Sequence, residues 1–138
     1  MGAVGLLTHR DFKGFLRVAG QETRHPLVLK PVLDILDAIQ AIEKYATGAR
    51  NKTDELIQVW FVHHLQIIGE AARKLSPAFQ ERHPEVPWAQ IVAMRHILVH
   101  DYFAVDLDEV WAAIERDVPE LKRKIVAILA ELKPGGKP

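Results

Sequence analysis

From Pro31 onward, apolar residues recur at helical spacing. Val32, Ile35, Leu36, Ile39 and Ile42 follow an i, i+3, i+4, i+7 pattern, the stripe of a helix with one buried face. Pro31 suits the first position of that helix, and Thr47-Gly48 closes it. Asn51-Lys52-Thr53 reads as a turn, with Thr53 the expected N-cap of a second helix from about Asp54 to Leu75. That helix carries two stripes: Ile57, Trp60, Phe61, His64, Ile68, Ala71 and Leu75, and beside them Leu56, Val59, His63, Ile67 and Glu70. An arc this wide predicts contact on two sides, one inside a bundle and one against a partner.

Ser76-Pro77 stops the second helix. His83-Pro84-Glu85-Val86-Pro87 forms a rigid turn, and Trp88 opens a third helix that turns Ile91, Met94 and Leu98 inward. Trp88 reads as a structural anchor whose indole N–H needs an acceptor, in preference to a base-stacking platform. Asp106, with Glu109 three residues on, has the capping-box pattern. It opens a fourth helix, apolar at Val110, Trp111, Ile114 and Val118, kinked or divided at Pro119, and continued by Leu121, Ile125, Ile128, Leu129 and Leu132. No strand alternation or internal repeat competes with this reading. The expected architecture is all-α, an antiparallel bundle of four principal helices, or five if the broken last one is counted twice, over residues 31–133.

The ends read differently. Gly2, Gly5, Gly14 and Gly20 interrupt residues 1–30, although Thr8-His9-Arg10-Asp11 can cap a short helix reaching Ala19. This is an N-terminal extension whose order the pattern leaves open, and residues 134–138 are a flexible tail.

Composition narrows the function classes. A chain of 138 residues, 49% hydrophobic, can bury one proper core. Lys plus Arg and Asp plus Glu both number 18, so no global basic field draws in nucleic acid. Any RNA binding must come from a local, salt-sensitive patch. The absence of cysteine excludes a disulfide framework, a thiolate metal site and a cysteine nucleophile. No apolar run approaches the ~20 residues that span a membrane, and no signal-peptide pattern opens the chain. A soluble, cytoplasmic protein is expected.

The chemistry is concentrated in one stretch. Arg95-His96-Ile97-Leu98-Val99-His100-Asp101-Tyr102 sets a guanidinium, two imidazoles, a carboxylate and a phenol in eight positions. On a regular helix Arg95 and Tyr102 share a face, while His100 lies roughly 140° from Arg95. Arg95 and His100 therefore converge on one phosphate only if the helix ends near His100 or a second copy supplies the other group. From the residues alone, surface polar groups flanking an apolar trio, or a helix-capping His100, explain the stretch equally well. His96 and His100 have the spacing of a zinc pair but no evident third ligand, so no metal is expected. His63-His64 reads as packed histidine for the same reason.

The order Arg95-x4-His100-x-Tyr102 resembles the R-x4-H-x-Y motif of the HepT-like toxins, a branch of the HEPN superfamily of ribonucleases. The segments Ile67–Ser76, His83–Trp88 and Val105–Lys122 resemble that family in the same order, so the likeness covers Pro31 to Leu132. It implies a homodimeric, metal-independent endoribonuclease that needs no cofactor, with Arg95 on the RNA phosphate and His100 in proton transfer. It also implies a type VII-like toxin–antitoxin pairing, in which a minimal nucleotidyltransferase of the MntA type uses ATP to AMPylate Tyr102. The alternative is a non-catalytic HEPN module that scaffolds a nucleotidyltransferase and binds nucleotide or RNA. One departure stands out: His96 occupies a position that is often asparagine, either as a second proton-transfer group or, the favoured reading, as a tolerated polar variant. Asp101 either orients an imidazole or faces solvent. Glu70 either reaches the cleft or pairs with Arg73 or another basic group.

Overall fold

The computed structural model describes residues 26–48, 53–101 and 104–132. Its elements are α1 (Pro26–Glu43), α2 (Glu55–Lys74), the short α3 (Pro77–Arg82), α4 (Trp88–His100), α5 (Leu107–Ala112), a π-helical turn (Ala113–Asp117) and α6 (Val118–Leu132). Among the described residues all regular structure is helical. The bundle packs α2 between α1 and α4, with α6 laid along α1. None of the described helices is long and apolar enough to cross a membrane.

The α1 stripe behaves as its spacing predicts, with Val32, Ile35, Leu36, Ile39 and Ile42 all fully buried. Its ends differ. The helix begins at Pro26 and runs through Pro31, because a proline this close to the start sacrifices only the bond to the Leu27 carbonyl. It stops at Glu43, ahead of Thr47-Gly48, and Gly48 follows with a φ of 99° that favours glycine.

The N-cap of α2 is Asp54 rather than Thr53. Its carboxylate accepts from the Leu56 and Ile57 N–H groups at 2.9 and 3.3 Å, and a negative charge there also suits the helix dipole. The face of α2 sunk deepest carries Phe61, Val62, Leu65, Ile68 and Ala72, so Val62, Leu65 and Ala72 join the core beyond the two stripes read from spacing. The indole N–H of Trp60 donates to the Ala41 carbonyl at 2.7 Å and ties α2 to α1.

Ser76-Pro77 does more than stop α2. The Ser76 hydroxyl accepts from the Phe79 N–H at 3.1 Å and Pro77 takes the first position of α3, a start signal that the sequence reading took only as a stop. In the turn that follows, Trp88 is buried and its indole N–H donates to the His83 carbonyl at 2.8 Å. It is a structural anchor. Asp106 caps α5, accepting from the Asp108 N–H at 2.9 Å. The break in the last helix falls before Pro119: the Val118 N–H bonds the Ala113 carbonyl five residues back, within the π-helical turn. Pro119 has no N–H to give the preceding turn, and the widened turn absorbs that mismatch.

The contact that positions the chemistry is between α2 and α4. A Cβ built on Gly69 would lie 2.2 Å from the Arg95 Cβ and 3.2 Å from the Ile91 carbonyl oxygen. The nearer atom is rooted on the α4 backbone, so no rotamer change relieves it. Gly69→Ala must push the two helices apart, and it is expected to cost about 1–3 kcal/mol. A urea midpoint equal to the wild-type value would show that α4 yields instead.

Candidate functional site

Two bonds fix how α2 and α4 lie against each other around Gly69. Gln66 donates its side-chain N–H to the Leu98 carbonyl at 3.1 Å, supplying a partner to one of the last carbonyls of α4. One turn along α2, the Glu70 Oε1 pairs with the Arg95 Nε at 2.9 Å. The helices run antiparallel in this register, with Gln66, Gly69 and Glu70 on α2 facing Leu98 and Arg95 on α4. Arg95 faces α2 at this contact, while His100, five residues on, lies roughly 140° around α4 from it.

Arg95 is mostly covered, its side chain 25% exposed. Because Glu70 holds it by Nε, the terminal N–H groups keep donors for another acceptor. Glu70 also accepts from the Arg73 Nε and Nη2 at 3.2 and 2.7 Å. One carboxylate thus bridges two guanidiniums, the pairing with Arg73 and another basic group that was one of the two alternatives for Glu70. Its pKa is lowered, first by the Arg73 hydrogen bond and further by the charges of Arg73, Arg95 and Lys74, against a smaller opposing cost of burial. The Arg73 pKa is raised by the same bond.

The helix ends where convergence requires. α4 stops at His100, and the Asp101 N–H closes it on the Ile97 carbonyl at 2.8 Å. His100 is exposed at this end, its ring centred 4.5 Å from that of His96. Asp101 is exposed as well. Among the described residues no hydrogen bond joins its carboxylate to either imidazole. Tyr102 lies outside the described residues. The structure therefore shows two separate pairs on α4, Arg95 with Glu70 and His96 with His100, and His100 lies roughly 140° around the helix from Arg95.

His64 is a packed histidine. Its Nδ1 lies 2.8 Å from the Trp60 carbonyl and its ring is centred 4.3 Å from the Trp60 ring. Among the described residues no three metal-ligating side chains cluster. An apolar groove of about 540 Å³ runs elsewhere, between α4 and α6, lined by Leu65, Ile68, Ile91, Met94, Val118 and Leu121; Arg95 and His100 do not border it.

Sequence reasoning passed over Gly69, Gln66 and Arg73 as parts of this site. A glycine beside a glutamate in mid-helix was the available signal, since glycine there is unfavourable unless something packs closely against it.

A profile of the family described as Ribonuclease HepT-like matches residues 35–128, a span that takes in every residue of the cleft. A Methanocaldococcus jannaschii protein named "Gamma-glutamylcyclotransferase and putative RNase" is 36% identical over 101 residues, 71% of this chain. That alignment spans only 46% of the relative, so the similarity concerns about half of its length. A second protein of the same organism, named "Putative RNase", is 32% identical over 119 residues, covering 86% of this chain and 97% of the relative. A match of 119 residues exceeds the length of chain from Pro26 onward, so it takes in residues ahead of α1. The probable ribonuclease HepT of Thermococcus cleftensis is 36% identical over 94 residues, 66% of this chain and 86% of that protein. No solved structure matches the chain.

The lowered pKa of Glu70 makes its bridge pH-dependent in a definite direction. A depressed folded-state value means that the stabilisation is present above the ordinary carboxylate pKa, near ~4.3, and is lost as pH falls through the folded value. The difference in urea midpoint between wild type and Glu70→Gln should be constant from neutral pH to about pH 5 and shrink below it. A difference that survives full acidification would assign the contribution to packing rather than to charge.

Proposed function

The chain belongs to the HepT-like ribonuclease family, and from that premise we propose that it is an endoribonuclease toxin that cuts RNA without metal through Arg95 and His100. The observation that carries this reading is the placement of Arg95, fastened by Glu70 and still offering donors, one and a half turns from a histidine on the exposed end of α4. The two groups match what RNA cleavage asks of a protein. RNA brings its own nucleophile, the ribose 2′-OH, so the protein must move protons and stabilise charge on the phosphate in flight. An imidazole, with an ordinary pKa near ~6.5, suits proton transfer at neutral pH. A guanidinium suits the phosphate, because its planar fork donates two hydrogen bonds to non-bridging oxygens.

One chain offers a single Arg95/His100 pair, and a homodimer would face two such pairs across a cleft. The surface supports this. Leu56, Val59, Ile97 and Val99 are 81%, 55%, 50% and 43% exposed, and the antiparallel register carries the first half of α2 past the end of α4. Burying these side chains against a second copy would use the outer arc of α2 that the bundle leaves open. His96, its ring centred 4.5 Å from that of His100, is a tolerated polar variant in this reading.

Regulation in this reading works on Tyr102. A cognate minimal nucleotidyltransferase antitoxin would join the tyrosine oxygen to the α-phosphorus of ATP and release pyrophosphate. The AMP phosphate would then compete for Arg95 and exclude RNA by size and by charge. Loss of the added mass and recovery of cleavage should go together when the AMP is removed, and Tyr102→Phe should be immune to the modification.

Arg95→Ala is expected to lower kcat by about 10²–10³-fold and His100→Ala by about 10²–10⁴-fold, each with an unchanged helical circular-dichroism signal. Cleaved RNA should carry a 2′,3′-cyclic phosphate, and EDTA should leave the rate unaltered. A 3′-hydroxyl product would exclude attack by the 2′-OH. Wild-type and His100→Ala proteins that are equally inert on RNA, with Tyr102 unmodified by mass, would point to the non-catalytic binding module.

A further inference from the structure

We propose that Arg73 forms a second phosphate-binding subsite for RNA next to Arg95, with Glu70 as the strut that holds the two guanidiniums at a fixed separation. The inference rests on the ribonuclease reading above and concerns how the strand lies along the cleft. Glu70 is shared by Arg73, through Nε and Nη2, and by Arg95, through Nε. Both guanidiniums reach the Glu70 Oε1 through their Nε, at 3.2 and 2.9 Å, so they stand side by side and can take successive phosphates of a single strand.

Charge points the same way. Arg73, Lys74 and Arg95 gather around Glu70, three cations against one carboxylate, in a chain whose formal net charge is zero. This is the kind of local patch that RNA binding by a neutral protein requires. Arg73 is 54% exposed, and its Nη1 is uninvolved in the Glu70 bridge, so a backbone phosphate can reach it. An i,i+3 pair on a helix surface contributes little to stability by itself. The bridge to Arg95 sets this one apart from an ordinary surface pair.

The register orders the contacts. Gln66 lies at Leu98 and Gly69 at Arg95, so α2 leads away from His100 as it passes Glu70 towards Arg73. A strand with its scissile phosphate between Arg95 and His100 would place the adjoining phosphate at Arg73, one helical turn farther along.

The test is the salt dependence of binding to a short fluorescein-labelled oligouridylate, measured by anisotropy. It is carried out in the full chain bearing His100→Ala, so that the strand stays intact. Each phosphate neutralised on a single strand adds about 0.7 to the slope of log K against log salt. Adding Arg73→Ala should lower that slope by about 0.7, and Arg73→Lys should restore most of it, with unchanged helical signal in both. An unchanged slope with Arg73→Ala would overturn the subsite, and so would an equal loss with Arg73→Lys, which would mark a structural role. On cleavage, Arg73→Ala should raise KM more than it lowers kcat, and should harm a long strand more than a dinucleotide. If the wild type cleaves no RNA, the ribonuclease reading fails while the binding slope still decides the role of Arg73.

Discussion

The close approach of α2 and α4 at Gly69 is the constraint on which the cleft depends. With no side chain at that position, the Arg95 Cβ can sit where a Cβ of residue 69 would have been. The helices then come near enough for Glu70 to take the Arg95 Nε and for Gln66 to reach the Leu98 carbonyl. Each bond alone is modest, since hydrogen bonds and partly exposed ion pairs contribute on the order of 1 kcal/mol. Their effect is geometric. They hold one arginine with its donors outward and give the last turn of α4 a partner just before the chain leaves the helix at Asp101.

The core behind this contact is conventional and was readable from spacing. The α1 residues Val32, Ile35, Leu36, Ile39 and Ile42, and the α6 residues Leu121, Ile125, Ile128 and Leu129, are buried in the faces that their periodicity defines. Spacing works there because each of these helices has a single apolar stripe. It was a weaker guide on α2, which packs on both α1 and α4. There the deepest residues include Val62, Leu65 and Ala72, while Leu56 and Val59, equally apolar in sequence, stay outside.

Local chemistry near prolines and caps was legible in kind but not in consequence. Ser76-Pro77 and Pro119 both announce a change of direction, yet the same signals suit a stop, a start or a kink. The backbone settled them as a new helix start at Ser76 and a widened turn ahead of Pro119. Asp54 displaced Thr53 as the cap of α2 because a carboxylate satisfies the free N–H groups and the helix dipole together. Such choices turn on a few tenths of a kcal/mol to about 1 kcal/mol, and neighbouring packing can tip them either way.

The candidate site divides along the same line. Arg95, His96, His100 and Asp101 are consecutive or nearly so, and a motif reading finds them because chemistry that lives within one helix end leaves a mark in one stretch of sequence. Glu70 and Arg73 come from another helix, and their relation to Arg95 exists only through the register that Gly69 permits. A glutamate followed three residues later by an arginine is among the commonest pairs on any helix. Nothing in its spacing distinguishes a solvated ornament from a bridge to a second guanidinium. The proposed function would therefore depend on residues of two visibilities: those proposed to act on the phosphate, written together near the end of α4, and those that would aim them, written on α2, where only the unfavourable mid-helix glycine betrays the contact.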